Sequence, residues 1–563
     1  MYILRPLLPF LTLLTTSHSL TTTTNTSLTH PAATTHNGTY YGIHQSSLHQ
    51  DFFFGIPYAQ PPTGDLRFRT PQSLNTSWTG QRNATELGPM CIGYGTTQDV
   101  LGDYMSEDCL TLNVVRPSNV SEEYGPLPVA VWIHGGSFES GAARDPRYNM
   151  TAILQQSVQM GKPMMAVTLN YRLSYWGWLF GNEVLEEGVA NLGLRDQRLA
   201  LHWIQENIRA FGGDPSKVTI WGQEAGAFSV GLHLIAYAGR DDGLFRAAIS
   251  ESGNPTLMWS SVTATEYQPL YDAFIASTNC TSAPSTLSCL RTIPTSTLSA
   301  LFTRNLTSHI HTNPVIDNDI IQSLGSTALR SGHFVHVPYL TGTNFDEGTQ
   351  QGFGVEGINT AAQFLSMVQS DGLNTTTPQH IAAIYPDDPS LGIPATLPSR
   401  PGNNTIATYG AQWKRSAAYN GDKVMHAGRR LASTSWAERG VAVLTYQWNV
   451  MMHATWYIFG ARHFDEVAFV FYIGMDLGGD DQKPTFAPLS DLMSRMWAGF
   501  VTTLDPNNHG LNTSVVWPEY TLDNKRNMVF DVNVTDLAYI EDDDFREDGI
   551  SYLMDLFSGD LKK

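Results

Sequence analysis

Val218-Thr219-Ile220-Trp221-Gly222-Gln223-Glu224-Ala225-Gly226 is the stretch that decides the fold. A β-type run enters a Gly-x-x-x-Gly frame, and the helix-compatible Ala227-Phe228-Ser229-Val230-Gly231-Leu232 leaves it. Strand, sharp turn and helix in that order make an elbow that projects its central residue into a pocket. The glycines are required because side chains on so tight a turn would collide, and the central residue is held in a strained conformation. Here the centre is Glu224, and the two glycines fix that register. A bare Gly-x-x-x-Gly is often only helix packing, so the flanking sequence has to carry the assignment.

Outward from the elbow, short apolar runs alternate with helical patterns. Val129 to Ile133, Met164 to Leu169, Ala247 to Ile249 and Val441 to Tyr446 are apolar throughout, as suits strands covered on both faces. Leu201, Ile204, Ile208 and Phe211 recur at helical spacing, and Gly212-Gly213-Asp214-Pro215 stops that helix. The pattern predicts an α/β fold, with a large, mostly parallel central sheet and helices on both faces. Residues 40–545 contain no linker and read as one domain with long excursions.

Of the 563 residues, 42% are hydrophobic, enough for a large core. The net charge of −19 argues against nucleic acid and against an anionic membrane surface, both of which need clustered Lys and Arg. Residues 1–19 read as a signal peptide: Arg5 precedes the apolar Leu7 to Leu14, which is too short to span a bilayer, and Ser17-His18-Ser19 offers a cleavage site. Residues 20–39 read as a Thr- and Ser-rich flexible lead-in, and 546–563 as a polar C-terminal tail without a membrane or lipid anchor. N-x-S/T sequons begin at Asn25, Asn37, Asn75, Asn83, Asn119, Asn149, Asn279, Asn305, Asn374, Asn403, Asn512 and Asn533, which behind a signal peptide predicts a secreted glycoprotein. Four cysteines suit an oxidising compartment and allow three pairings, of which Cys91-Cys109 and Cys280-Cys289 close short loops. No cysteine or histidine spacing suggests a metal, and no cofactor is expected.

Ile133-His134-Gly135-Gly136-Ser137-Phe138-Glu139-Ser140-Gly141 follows a strand, as an anion-stabilising loop should. Together with Phe54-Gly55-Ile56-Pro57-Tyr58-Ala59-Gln60-Pro61-Pro62, Glu107-Asp108-Cys109-Leu110-Thr111-Leu112-Asn113, Asn170-Tyr171-Arg172, Asn191-Leu192-Gly193-Leu194-Arg195-Asp196-Gln197 and Trp517-Pro518, the chain resembles the type-B carboxylesterase family of α/β-hydrolases, which includes cholinesterases, fungal lipases and neuroligins. The match runs from about residue 40 to about residue 540. The resemblance implies Glu347, in Gly342 to Thr349, as triad acid and His463, in Gly460 to Glu466, as base. It implies backbone oxyanion donors at Gly136, Ser137 and Ala225, with Ser137 standing where the family usually has a third glycine, and it fits both short-loop disulfides. At the nucleophile position the family has serine and this chain has Glu224. Ser252 is structural by the same resemblance, and Ser229 lies too far into the helix to substitute. The Cys91 to Cys109 segment lacks the tryptophan of cholinesterases, with Tyr94 and Tyr104 its only aromatics, which argues against a choline ester.

A glutamate carboxylate lies roughly 2.5 Å further from the backbone than a serine oxygen. One of its oxygens can occupy the oxyanion hole itself. His463, facing Glu224 and Glu347, should have a raised pKa and be a poor general base. Three readings follow, in this order. The pocket is a repurposed enzyme using Glu224 and His463 in acid–base chemistry or attack on an epoxide-type electrophile. It is a non-catalytic binding protein with a protein partner. It is a weak carboxylic ester hydrolase. The ligand class implied is a small apolar ester or secondary metabolite, and Trp176, Trp178, Trp456, Tyr457 and Phe459 are candidates for an apolar gorge or for ordinary core.

Overall fold

Along Val129-Ala130-Val131-Trp132-Ile133 successive side chains leave on opposite faces of a strand. Val129, Val131 and Ile133 enter one hydrophobic core, and Ala130 and Trp132 enter another. The sheet therefore carries apolar side chains on both faces, and each face needs a layer of helices. The computed structural model describes residues 30–102, 104–118, 121–303, 312–350, 355–374, 376–453, 457–473 and 484–563.

In chain order the central strands are β1 (Ile43–Gln45), β2 (Gln50–Pro57), β3 (Thr111–Pro117), β4 (Leu127–Ile133), β5 (Met165–Leu169), β6 (Gly213–Gln223), β7 (Ala247–Glu251), β8 (Tyr339–Asn344), β9 (Val443–Trp448), β10 (Arg526–Phe530) and β11 (Ala538–Asp542). They form one sheet in the order β11-β10-β9-β8-β7-β6-β4-β5-β3-β2-β1. The strands from β10 through β9, β8, β7, β6 and β4 to β5 are parallel neighbours. Antiparallel pairs finish the two edges. The first core is closed by helices Leu192–Asn207, Ala225–Gly239 and Ala427–Glu438. The second is closed by Thr151–Gln159 and Phe486–Thr503. Ile208 and Phe211 continue the helical spacing as a 3₁₀ turn, and Gly212, at φ 86°, ends it.

The ordered fold extends beyond the expected limits at both ends. Ala32–Thr34, inside the expected lead-in, is a strand paired antiparallel with Thr39–Tyr41. The expected polar tail contains the helix Glu547–Leu556, whose Ile550 and Leu553 join Phe557 and Leu561 in the first core. Its apolar residues recur every three or four positions among charged ones, which hides the helix in an averaged reading. Just before it, Asp543 is buried against Arg429 through two hydrogen bonds of 2.6 and 2.7 Å. Burial opposes its charge, but Arg429 and Arg430 hold it well below the usual carboxylate range.

Cys91–Cys109 and Cys280–Cys289 are both disulfide-bonded. The expected signal peptide and the sequons at Asn25, Asn119 and Asn305 lie outside the described residues. Of the other sequon asparagines Asn37 is half-buried, and Asn75, Asn83, Asn149, Asn279, Asn374, Asn403, Asn512 and Asn533 are exposed. No described helix is long and apolar enough to cross a membrane.

Candidate active site

The elbow is built by close backbone approach. A Cβ on Gly222 would sit 2.4 Å from the Gly226 carbonyl carbon, and one on Gly226 would sit 1.9 Å from the Ile133 carbonyl oxygen. Only glycine lets β6 turn into Ala225–Gly239 this tightly against β4. Between them Glu224 has φ 52° and ψ −119°, a conformation that costs an L-residue about 1–3 kcal/mol. Its N–H donates to the Glu251 carbonyl at 3.0 Å, which ties the turn to β7.

The loop after β4 wraps around the Glu224 side chain. Gly136, Ser137 and Phe138 have φ of 114°, 56° and 60°. That run turns successive N–H groups inward, a nest for an anion. Gly136 N–H and Ser137 N–H both donate to Glu224 Oε2, at 2.7 and 2.9 Å. Ser137 Oγ donates to Oε1 at 3.2 Å. The glutamate carboxylate thus fills the oxyanion site with one of its own oxygens. Ser137 and Glu224, the two positions expected from the sequence to be unusual, meet in the hydrogen bond to Oε1. Ala225, buried at the head of the elbow helix, completes the turn. His134 stacks on Tyr171 at 4.5 Å, and Tyr171 Oη donates to the His134 carbonyl at 2.8 Å, which stiffens the loop from behind.

Glu347 follows β8 and is fully buried. Its Oε1 accepts from Ser252 Oγ at 2.5 Å and from Asn344 N–H at 2.8 Å, and His463 Nδ1 donates to its Oε2 at 2.6 Å. Ser252 therefore orients the acid, and Ser229 is occupied inside the helix by Gln197 and the Ala225 carbonyl. The acid and base loops are laced together: Asn344 Nδ2 donates to the Arg462 carbonyl at 2.7 Å, and Ala461 N–H donates to Asp346 at 2.8 Å. Burial alone would favour a neutral His463. The charge of Glu347 and its hydrogen bond, then Glu224 and Glu466, outweigh burial and push the imidazole up to about 9. The Gln223 amide lies 3.1 Å from Nε2. Its carbonyl can accept from the charged ring, or its NH₂ can donate to the neutral one.

Glu224, His463, Gly136 and Ser137 line one cavity of about 440 Å³ with Gln223, Arg147, Arg462, Tyr148, Phe464 and Trp259. The sequence had not marked these six. Gln223 had a signal, its place beside the elbow centre, as had Arg462 and Phe464 on either side of His463; Arg147, Tyr148 and Trp259 come from two other loops. The described aromatic candidates lie elsewhere. Trp178 is buried in the first core beside Phe138, Trp176 is buried in a separate cluster beside Phe68, and Phe459 packs on Tyr409. Tyr457 is exposed, and Trp456 lies outside the described residues. Tyr94 accepts from Trp176 Nε1 at 3.0 Å, and Tyr104 is exposed. No group of His, Cys, Asp and Glu among the described residues is arranged to hold a metal ion.

Residues 29–544 match the Carboxylesterase family. The chain belongs to that family. This carboxylesterase-family chain is similar in sequence along most of its length to lipase 2 of Diutina rugosa, at 32% identity over 93% of this chain and 96% of the relative. Secreted lipase 1 of Botryotinia fuckeliana is 33% identical over 83% of this chain and 84% of the relative. The crystal structure of Aspergillus niger EstA superposes with a TM-score of 0.81 at 28% identity, covering 95% of this chain and 99% of EstA. The large mixed sheet with helices on both faces is thus that of a carboxylesterase-family α/β-hydrolase.

The buried acids around this site set a pH dependence of stability. Burial pushes Glu466 up to about 8, and Asp346 and Asp465 each to about 7. Folded carboxyls with raised pKa bind more protons than unfolded ones, so stability falls as pH rises from about 4 through these values. His463, also raised, contributes stability below its unfolded pKa that is lost as pH passes about 9. His134 and His233, which burial lowers to about 4 and about 3, act oppositely and cost stability as pH falls below their unfolded value, whereas Asp543 loses its contribution only in stronger acid; the raised carboxyls and His463 together outweigh them. Thermal unfolding at constant ionic strength should show a midpoint about 5 °C higher near pH ~5 than near pH ~8.5. A flat or rising profile would contradict these assignments.

Proposed function

We propose that this protein opens epoxide-type electrophiles through a covalent ester on Glu224. The observation that carries the reading is the inequality of the two carboxylate oxygens. Oε2 is fixed by two backbone N–H groups, and Oε1 takes one longer contact from Ser137. A carboxylate clamped by one oxygen is oriented for attack by the other.

Oε1 forms a bond to a ring carbon as the carbon–oxygen bond of the ring breaks. Charged His463 gives its Nε2 proton to the departing oxygen. Esterification removes the charge of Glu224, so one of the groups that raise the His463 pKa disappears and the now neutral ring becomes a better base. It takes a proton from water while the hydroxide attacks Cδ of Glu224. The resulting oxyanion lies at Oε2, between Gly136 and Ser137 N–H. Collapse breaks the Cδ–Oε1 bond, His463 returns the proton to the leaving alkoxide, a diol departs with the original Oε1, and Glu224, left as the carboxylic acid, gives its proton to His463 to restore the resting carboxylate and imidazolium. Glu347, fixed by Ser252 and Asn344, keeps the ring in one orientation throughout.

Styrene oxide should give its diol above the spontaneous rate. Ser137→Gly, which removes the hydroxyl that aims Oε1, should slow this by about tenfold. No diol with the natural protein would overturn the proposal. A second reading, a non-catalytic binding member, is favoured by the amide of Gln223 seated at His463 Nε2, which occupies the nitrogen a catalytic base would use. Absence of any altered small molecule, with capture of a defined protein partner, would support it. We further propose secretion through the signal peptide at residues 1–19, supported by the secreted lipase relative, and N-glycosylation, supported by the exposed sequons.

A further inference from the structure

The wall of the Glu224 cavity includes two arginines, Arg147 and Arg462, in a chain whose net charge is −19. Arg147 lies on the 3₁₀ turn Pro146–Tyr148 and is held from one side. Asp145 accepts from its Nε at 3.0 and 3.1 Å and from its Nη2 at 2.6 Å. Asp145 is buried and lines a neighbouring apolar cavity, whereas Arg147 lines the one with Glu224. The aspartate therefore pins the guanidinium from behind. The rings of Phe464 and Tyr148, both in the cavity wall, lie 5.0 and 5.9 Å from its central carbon. A guanidinium anchored on one edge and backed by aromatic rings is preorganised to receive a planar anion on another edge.

Arg462 immediately precedes the catalytic His463 and donates from Nε to Asp465 at 3.0 Å. Arg462 lines the same cavity as Arg147 and Glu224. Glu224 does not repel a second anion strongly, because Gly136, Ser137 and the His463 imidazolium already balance its carboxylate.

We propose that Arg147 and Arg462 form a carboxylate-binding subsite, so that the natural ligands of this cavity are small carboxylic acids; resting on the epoxide reading, the substrates are acidic epoxides. The acid group docks at the arginines and the ring carbon is presented to Oε1 of Glu224. The proposal replaces the apolar ligand expected from the sequence with one that has an apolar body and an anionic end.

Calorimetry with phenylpropionate and phenylpropionamide tests the subsite without any chemistry, because the two differ in charge but scarcely in shape. The acid should bind the natural protein at least about tenfold tighter than the amide. Arg147→Met and Arg462→Met should each weaken the acid about tenfold and leave the amide unchanged, with Arg147→Lys intermediate. Equal affinity for acid and amide, or variants that weaken both alike while retaining the natural melting profile, would overturn the proposal. Turnover of phenylglycidate against phenylglycidamide is the second arm. Selective acid binding without turnover of either epoxide sinks the epoxide reading and leaves the subsite standing. Turnover of both epoxides at equal kcat/KM sinks the subsite and leaves the chemistry standing.

Discussion

Glu224→Ser should hydrolyse p-nitrophenyl butyrate at least about a thousandfold faster than the natural protein, which should remain near the uncatalysed rate. Removing a triad nucleophile costs on the order of 10⁶ in turnover, so restoring one to an intact site should recover a large part of that. The rest of the apparatus is present. Glu347 holds His463 at 2.6 Å, and Gly136 and Ser137 present two N–H groups to one point. The substitution also removes the carboxylate that fills that point and one of the charges that raise the histidine, so the ring moves towards a useful base. A serine variant as inactive as the parent would mean that Gln223, 3.1 Å from Nε2, or the strained loop blocks an acyl group. Strong esterase activity in the natural protein, lost in Glu224→Gln, would instead make it a carboxylate-based ester hydrolase.

His463→Ala should stop the proposed cycle half-way. Attack by Oε1 loses its proton donor in this variant and slows, but a reactive, strained epoxide still opens on the oriented carboxylate, whereas hydrolysis of the ester needs a base at Nε2. The variant should therefore take up one equivalent of a reactive epoxide and keep it as a mass adduct on the peptide containing Glu224. Its steady-state turnover should drop by about 10⁴ or more. Glu224→Gln should form no adduct and no diol, since an amide is a far weaker nucleophile. Labelling at another residue, or a variant that still turns over, would contradict the roles given to both side chains.

The elbow is legible in the sequence because its glycines are demanded by backbone contact: Gly226 faces the Ile133 carbonyl so closely that no side chain fits. The apolar strands are legible because both faces of the sheet are covered. Glu347 and His463 are found by motif, and the structure joins them across 116 positions of chain. The use of the oxyanion site by Glu224 follows from side-chain length alone. Contacts among loops far apart in the chain are what the sequence hides. Gln223 reaches His463 across 240 positions, and Arg147 meets Phe464 only because the excursions after β4 and β9 come together. The aromatic run near residue 457 read equally well as pocket or core, since apolar side chains serve both. The C-terminal helix was masked by its charged outer face.

A single turnover in ¹⁸O water is the most direct test of the claim that Glu224 is a nucleophile clamped by one oxygen. With enzyme in excess over a small epoxide, water attacks Cδ, so the diol should carry unlabelled oxygen taken from Glu224. The peptide containing Glu224 should gain one heavy oxygen. Label appearing in the diol, with none in residue 224, would mean that water attacks the ring directly and that no ester forms on Glu224.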